Sequence, residues 1–262
     1  MHLLSAGSVV SDGMVVQGVV SADMDVQGGR LATFQYLDTH IFYPRQRLRE
    51  ETGFHYRGGD HFTFPYFGAQ GNLPRHGFLR EAIFPTVRNH RANVGQMMLP
   101  LSGDMISFPY TGMVSSWASV SDSGVTRKLW VKNTGISEMP LNIGYHPYLS
   151  MPNGIATVRL GDHLLEVGVG AGGGFVWGKS CMHDAPADGN IVCKVPGLGS
   201  LHMVCPPEIT KVVIWTNNHH YLCVEPVMRP VETYGTQDGY FLAPGAELSL
   251  QFDITFTPEP KE

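Results

Sequence analysis

Apolar and polar positions alternate with a period of two along most of the chain. The alternation is plain in "MVVQGVV" from Met14, "RLATFQYL" from Arg30, "KLWVKN" from Lys128, "MPLNIGYHPYL" from Met139 and "ATVRL" from Ala156. It returns in "HLLEVGV" from His163, "SLHMVC" from Ser200, "KVVIWTN" from Lys211, "YLCVEP" from Tyr221 and "LSLQFDITF" from Leu248. Each segment has the length of a strand, carries β-branched or aromatic residues, and is bounded by Gly, Pro, Asn or Asp. No window sustains the i, i+3, i+4, i+7 spacing of an amphipathic helix. The expected fold is all-β, a large antiparallel β-sandwich, because a sheet with one apolar face must bury it against a second layer.

Composition narrows the picture. The 31 glycines and 18 prolines are spread along the chain, as many short strands joined by tight turns require. With neither a fixed-period repeat nor a linker-like stretch, residues 1–262 read as a single domain, and "GVGAGGGFVWG" from Gly168 reads as a surface loop inside it. Charged residues make up 16% and the formal net charge is −5, so no basic stripe is available for nucleic acid or an anionic membrane surface. The N-terminus "MHLLSAGSVVSDG" lacks the basic region and long apolar core of a signal peptide, and no apolar run is long enough to span a bilayer. A soluble, cytoplasmic protein is expected. Cys181, Cys193, Cys205 and Cys223 are widely spaced, with no CxxC pair, and read as reduced structural thiols.

Three places could carry chemistry. In "YLCVEPV", alternation sends Tyr221, Cys223 and Glu225 to one face and Leu222 and Val224 to the other. A carboxylate on so apolar a strand is costly to desolvate, and desolvation raises its pKa toward the range of a useful general base. The bland alternative is a solvated edge, or a pair with Arg229. In "LNIGYHPYL", Asn142, Gly144, His146 and Tyr148 share a face, while Leu141, Ile143 and Tyr145 pack inward. Pro147 cannot donate to a ladder, so His146 stands beside a strand end, edge or bulge. A satisfied core or turn histidine is the ordinary fate of such a residue.

The third place is "HYRGGDHFTFPYFGAQGNLPRHGFLRE", from His55 to Glu81, which is too rich in glycine for a regular element. Its glycines allow close backbone approach, and Phe62, Phe64, Tyr66 and Phe67 bury its underside or stack on a flat ligand. Arg57 and His76 bracket it as polar donors, and aromatics interleaved with Arg and His suit a sugar. A metal is the rival use of His55, His61 and His76. Their spacing matches no ligand motif, and adjacent His219 and His220 would point to opposite faces of a strand, so no metal is expected.

With these places in hand, the chain resembles the aldose 1-epimerase (galactose mutarotase-like) superfamily, and most closely its glucose-6-phosphate 1-epimerase-type branch. "YRGGDHFTFPYFG" followed by "RHGFLRE", "NTGISEMPLNIGYHPYL", "YLCVEPV" and "GYFLAPGAELSLQFDITF" carry the likeness, in matching order. The resemblance implies the large galactose mutarotase-like supersandwich, with Glu225 as general base, His146 as general acid, and Arg57 and His76 as sugar-binding groups. Asp60 and His61 stand where the branch has apolar residues. An aspartate that the family often adds to the site has no match, since Asp184 and Asp188 lie in unmatched sequence.

The activity so implied is interconversion of the α and β anomers of a hexose or hexose phosphate by acid–base ring opening, with no cofactor. For that chemistry Glu225 should be partly desolvated and His146 should hold its proton near neutral pH. A phosphate would need cations near the pocket, for which Arg75, Arg80, Arg88 and Arg91 are candidates, with a surface role as the alternative. The expected partner is a small sugar or sugar phosphate, and the expected state a monomer or homodimer. The alternatives are a carbohydrate-binding or regulatory module without turnover, or a lyase or hydrolase on the same fold.

Overall fold

The computed structural model describes residues 12–16, 20–50, 53–70, 72–91, 93–105, 107–168 and 175–260. Two large antiparallel sheets dominate it. The first runs, in hydrogen-bonded order, Asp12–Val16, Val20–Asp25, Arg30–Tyr36, Thr39–Phe42, Tyr148–Ser150, Tyr221–Val227, Gly144–Tyr145 and Phe62–Thr63. Lys211–Trp215 adds to the other side of Tyr221–Val227, and Cys181–Asp184 pairs beyond it. The second runs His163–Gly168, Ile155–Leu160, Asn190–Val195, Gly199–Val204, Glu247–Pro258, Gly124–Asn133, Thr111–Ser121, Val94–Ser102 and Thr86–Arg91. Gln46–Glu50 with Gly53–Arg57, and Met139–Leu141 with Tyr240–Leu242, form two small ribbons.

The alternation read in the sequence decides which side chains fill the space between the sheets. Along Glu247–Pro258, Leu248, Leu250, Phe252, Ile254 and Phe256 are buried while Ser249, Gln251 and Thr255 are exposed. Each such side chain contributes roughly 1.5–3 kcal/mol when buried, and a one-residue slip would turn the whole set to solvent. Leu31, Phe34, Phe42, Leu149, Leu222 and Val224 answer from the first sheet, in the same buried cluster. Rings of Phe62, Tyr145 and Phe252 meet across the layer, with centroids 4.9 to 6.0 Å apart. The fold is the expected antiparallel sandwich. Among the described residues helix is confined to two single 3-10 turns, Leu79–Glu81 and Val231–Thr233, and no helix is long and apolar enough to cross a membrane.

One polar cluster interrupts the core. Arg127 sits on the inward file of Gly124–Asn133 with Val125, Leu129 and Val131, and its side chain is fully buried. Its Nε donates to Asp60 Oδ2 at 2.7 Å and its Nη2 to Asp60 Oδ1 at 3.2 Å, while Nη1 and Nη2 also donate to the carbonyls of Trp117 and Gly29. Asp60 accepts further from the Leu31 N–H and the Tyr145 hydroxyl. A buried charge is tolerable when paired and hydrogen-bonded on every side. These bonds are what allow Asp60 to be fully buried in the core.

Candidate active site

Pro147 splits a strand of the first sheet in two. Gly144 pairs with Val227 and Tyr148 with Cys223, both on the same neighbour, Tyr221–Val227. The register carries through the break, so the residue opposite Glu225 is His146. On the other side of the half-strand, His61 and His146 exchange both backbone hydrogen bonds, at 3.3 and 2.9 Å. His61, His146 and Glu225 therefore form one rung across neighbouring strands, with Val213 opposite Glu225 beyond. Directly opposed residues on adjacent antiparallel strands bring their side chains together on one face.

On that rung His146 Nε2 lies 3.4 Å from Glu225 Oε2, and both side chains are buried. Glu225 lies inside the strand and away from Arg229, whose guanidinium instead donates to the carbonyls of Glu208 and Met228. Leu222 and Val224 join the main core from the opposite face of the same strand. The His146 ring stacks on His61 at 4.6 Å and on Tyr148 at 4.9 Å, and meets His76 edge-on at 5.4 Å.

The glycine-rich segment closes over this rung. Tyr66 and Phe67 bridge to Asn142, and Phe64 bridges to Gly77, so the segment hangs on the edge of the split strand. His76 and Gly77 both take left-handed backbone, φ 67° and 71°, a conformation costly for His. A Cβ on Gly77 would lie 1.9 Å from the Phe64 carbonyl oxygen, so only glycine fits there. The turn brings His76 Nδ1 to accept from the Gly68 N–H at 3.1 Å, while Arg75 Nε lies 3.4 Å from Nε2 on the other side of the ring. Phe62, Phe64 and Tyr66 are buried beneath the segment, while Phe67 reaches the cleft.

A cleft of about 700 Å3 lies over the rung. Arg57, His76, His146 and Glu225 all line it, together with Phe67, Arg75, Arg80, Tyr148, Lys179, Trp215 and Asn217. The Arg57 guanidinium sits over the Trp215 ring at 5.6 Å. Arg88 lies elsewhere, on the second sheet, and His55 and Arg91 lie outside the residues whose side chains are described. Asp184 is exposed and paired with Lys211, and Asp188 caps an exposed turn, so neither joins the cleft. His219 and His220 are exposed in the turn before Tyr221–Val227 rather than on a strand. Residues 169–174 of the glycine-rich loop lie outside the described residues.

Burial sets the protonation pattern. Desolvation pushes the Glu225 carboxyl up from 4.5 to about 8, against a smaller opposing pull from Arg75. Desolvation, and then the charges of His76, Arg80, Arg57 and Arg75, hold the His146 imidazole well below its usual range. His76 is likewise lowered to about 3, by burial first and then by Arg75, Arg80 and Arg57. This corrects the expectation that His146 holds a proton near neutral pH. In the unliganded cleft the pair's one proton rests on the carboxyl, because the neutral pair avoids burying two charges. Among the described residues, the group whose ligand atoms lie close enough for a metal is His146, Cys223 and Glu225, within 4.8 Å of one another. Burial holds the Cys223 thiol protonated, and a metal there would occupy the same imidazole and carboxyl that acid–base chemistry needs.

Trp215, Asn217 and Lys179 were not singled out from sequence. The signal for Trp215 lay in register: "KVVIWTN" alternates in step with "YLCVEP", and Trp215 pairs with Cys223, two residues before Glu225.

The sequence profile of the aldose 1-epimerase family matches residues 36–167, half of the chain, a span that holds Arg57, His76 and His146. No curated protein matches the chain. Solved structures share its fold at low identity. A protein from Synechocystis sp. PCC 6803 is 17% identical, with 99% of this chain and 100% of that one covered and a TM-score of 0.78. A galactose mutarotase-like protein from Lactobacillus casei is 16% identical, with 95% and 100% covered and a TM-score of 0.74. A galactose mutarotase related enzyme from Lactobacillus acidophilus is 14% identical, with 97% and 99% covered and a TM-score of 0.73.

Proposed function

The chain belongs to the aldose 1-epimerase family, and from that premise we propose that it interconverts the α and β anomers of a hexose phosphate, with Glu225 as base and His146 as acid. The observation that carries the proposal is the buried carboxyl and imidazole 3.4 Å apart at the wall of a cleft sized for a monosaccharide. The anomeric hydroxyl and the ring oxygen are bonded to the same carbon, so a base and an acid this close can serve both at once.

The step balances without a cofactor. Glu225 takes the proton of the C1 hydroxyl as the C1–O5 bond breaks, and His146 gives a proton to O5, producing the open aldehyde. Rotation about C1–C2 presents the other face, and O5 then re-attacks C1 with both transfers reversed. The reactive state holds the pair's single proton on His146, so binding must draw it across from Glu225. Arg57 and His76 grip sugar hydroxyls in this reading. A phosphorylated substrate is favoured because Arg57, Arg75, Arg80 and Lys179 line the cleft against one carboxyl, and Arg binds phosphate oxygens in a planar fork. The glucose-6-phosphate 1-epimerase-type resemblance points the same way.

The test is saturation-transfer NMR between anomers of glucose, galactose and glucose 6-phosphate. Wild-type protein should speed exchange above the spontaneous rate, most for the phosphate. Glu225→Gln and His146→Asn should each reduce the enzymatic rate by roughly two to four orders of magnitude, the usual worth of a positioned proton-transfer group, while binding largely survives. Arg57→Ala should weaken binding more than chemistry. Chelators should leave the rate unchanged. Binding without accelerated exchange would make the protein a carbohydrate-binding module, and an unaffected Glu225→Gln rate would remove the assigned roles.

A further inference from the structure

The outer face of the second sheet carries a second built cavity, of about 490 Å3, that the acid–base chemistry does not use. Its layout follows from register. Arg88, Gln96, Trp117, Lys128 and Gln251 oppose one another in succession across five strands, forming one continuous rung. Two residues along, Met98, Ser115 and Trp130 form part of the next rung. Ser115 lies on the outward file of Thr111–Ser121, yet it is only 2% exposed. Taller neighbours stand around it, and its hydroxyl accepts the Gln96 amide at 2.8 Å. A small, satisfied residue thus floors a depression walled by two indoles and a thioether.

The walls are held in place, and the charged residues that line the cavity, Arg88 and Lys128, are both cations. The Trp130 indole N–H donates to Glu247 Oε2 at 3.0 Å, and the other Glu247 oxygen takes Lys132 at 3.0 Å. Asp253, at the other end, accepts from Thr126 and Gln251. Glu247 is paired with Lys132 and Asp253 is held by the neutral Thr126 and Gln251, whereas Arg88 and Lys128 have no ion-pair partner among the described residues. The cavity therefore combines flat aromatic faces, amide and hydroxyl hydrogen-bonding groups, and two cations with no ion-pair partner among the described residues. A pyranose ring offers apolar C–H faces to indoles and hydroxyls to amides, and an acidic substituent would complement the cations.

From this we propose that the outer face of the second sheet is a binding site for a saccharide bearing an acidic group, separate from the cleft over Glu225. It does not depend on the catalytic reading, since the cavity and the cleft lie on different sheets and share no residue.

The experiment follows the indole N–H resonances of the four tryptophans in a heteronuclear correlation spectrum while trigalacturonate, or neutral maltotriose, is titrated in. Trp117 and Trp130 report the proposed site, and Trp215 reports the catalytic cleft. Trigalacturonate should shift Trp117 and Trp130 with a Kd of about 1 mM or tighter, and maltotriose should bind more weakly. Trp117→Ala should weaken trigalacturonate binding roughly tenfold or more, as loss of an aromatic anchor does. Lys128→Gln and Arg88→Gln alter partly or fully exposed side chains and leave the fold intact. They should weaken trigalacturonate alone, while Glu225→Gln should leave the titration unchanged. Shifts confined to Trp215, no shift with either saccharide, or insensitivity to both cation variants would overturn the proposal. So would shifts at Trp117 and Trp130 that track protein concentration without sugar, with sedimentation showing a dimer, because the face would then be an interface between copies.

Discussion

Glu225 and His146 illustrate how burial alone arranges chemistry at the scale of a residue. Neither group meets an opposite charge strong enough to hold it ionised, so the pair keeps one proton and places it on the carboxyl. The rate should be level near neutral pH and fall above about pH 8, where the pair loses that proton, and Glu225→Gln should remove this alkaline limb. Stability carries the same signature. The folded chain keeps a proton on Glu225 that the unfolded chain releases above 4.5, so this group's contribution falls as pH rises toward about 8. His146 acts oppositely but only below 6.5, where the unfolded chain takes up a proton that the buried ring refuses. Between 6.5 and about 8 Glu225 acts by itself, and unfolding free energy should drop by about 2 kcal/mol across that window. Denaturant titrations at several pH values measure the slope, which should be absent in Glu225→Gln.

At the scale of the element, the split strand and the glycine-rich segment build the cleft. Pro147 ends the ladder at its own position, and the interrupted strand leaves His146 with both flanking half-strands still in register against Tyr221–Val227. The His76–Gly77 turn supplies the second imidazole by a backbone that glycine alone permits at position 77. Gly77→Ala should lower stability by more than about 1 kcal/mol, because the added methyl meets both a positive φ and the Phe64 carbonyl. It should also raise KM more than it lowers kcat, since His76 is read as a binding group and would be carried off its place. Thermal unfolding together with anomer-exchange kinetics on the same preparation tests both effects.

At the scale of the whole molecule, Asp60 and Arg127 join the two sheets through the core. Asp60 follows the first sheet's glycine turn and Arg127 lies in the middle of a second-sheet strand, so their bidentate contact links the two layers behind the cleft. Arg127→Met leaves the Asp60 carboxylate buried without its partner and should cost about 3–5 kcal/mol, whereas Arg127→Met with Asp60→Asn should recover a substantial part of that loss. Denaturant midpoints of the two variants decide it. Similar destabilisation in both would mean that the pair acts through packing rather than charge.

The alternation of apolar and polar residues was sufficient to read the all-β sandwich and the facing of strands such as Glu247–Pro258, because the period of two is a local property of an extended chain. "MVVQGVV", read as one strand, instead spans two, Asp12–Val16 and Val20–Asp25, paired antiparallel. The alternation put Leu222 and Val224 on one face and Glu225 on the other, and it placed His146 beside a break at Pro147. The Arg127–Asp60 pair was not legible in the sequence, since the two residues lie far apart along the chain and only the closing of one sheet on the other brings them together. Likewise the pairing of His146 with Glu225 depends on which strands are neighbours and in what register, a choice made by turns and core packing across the molecule. The proton's place was the remaining decision of the tertiary structure. A residue type has an ordinary pKa, but the desolvation that lifts Glu225 and lowers His146 exists only once both are enclosed by the sheet, the glycine-rich segment and each other.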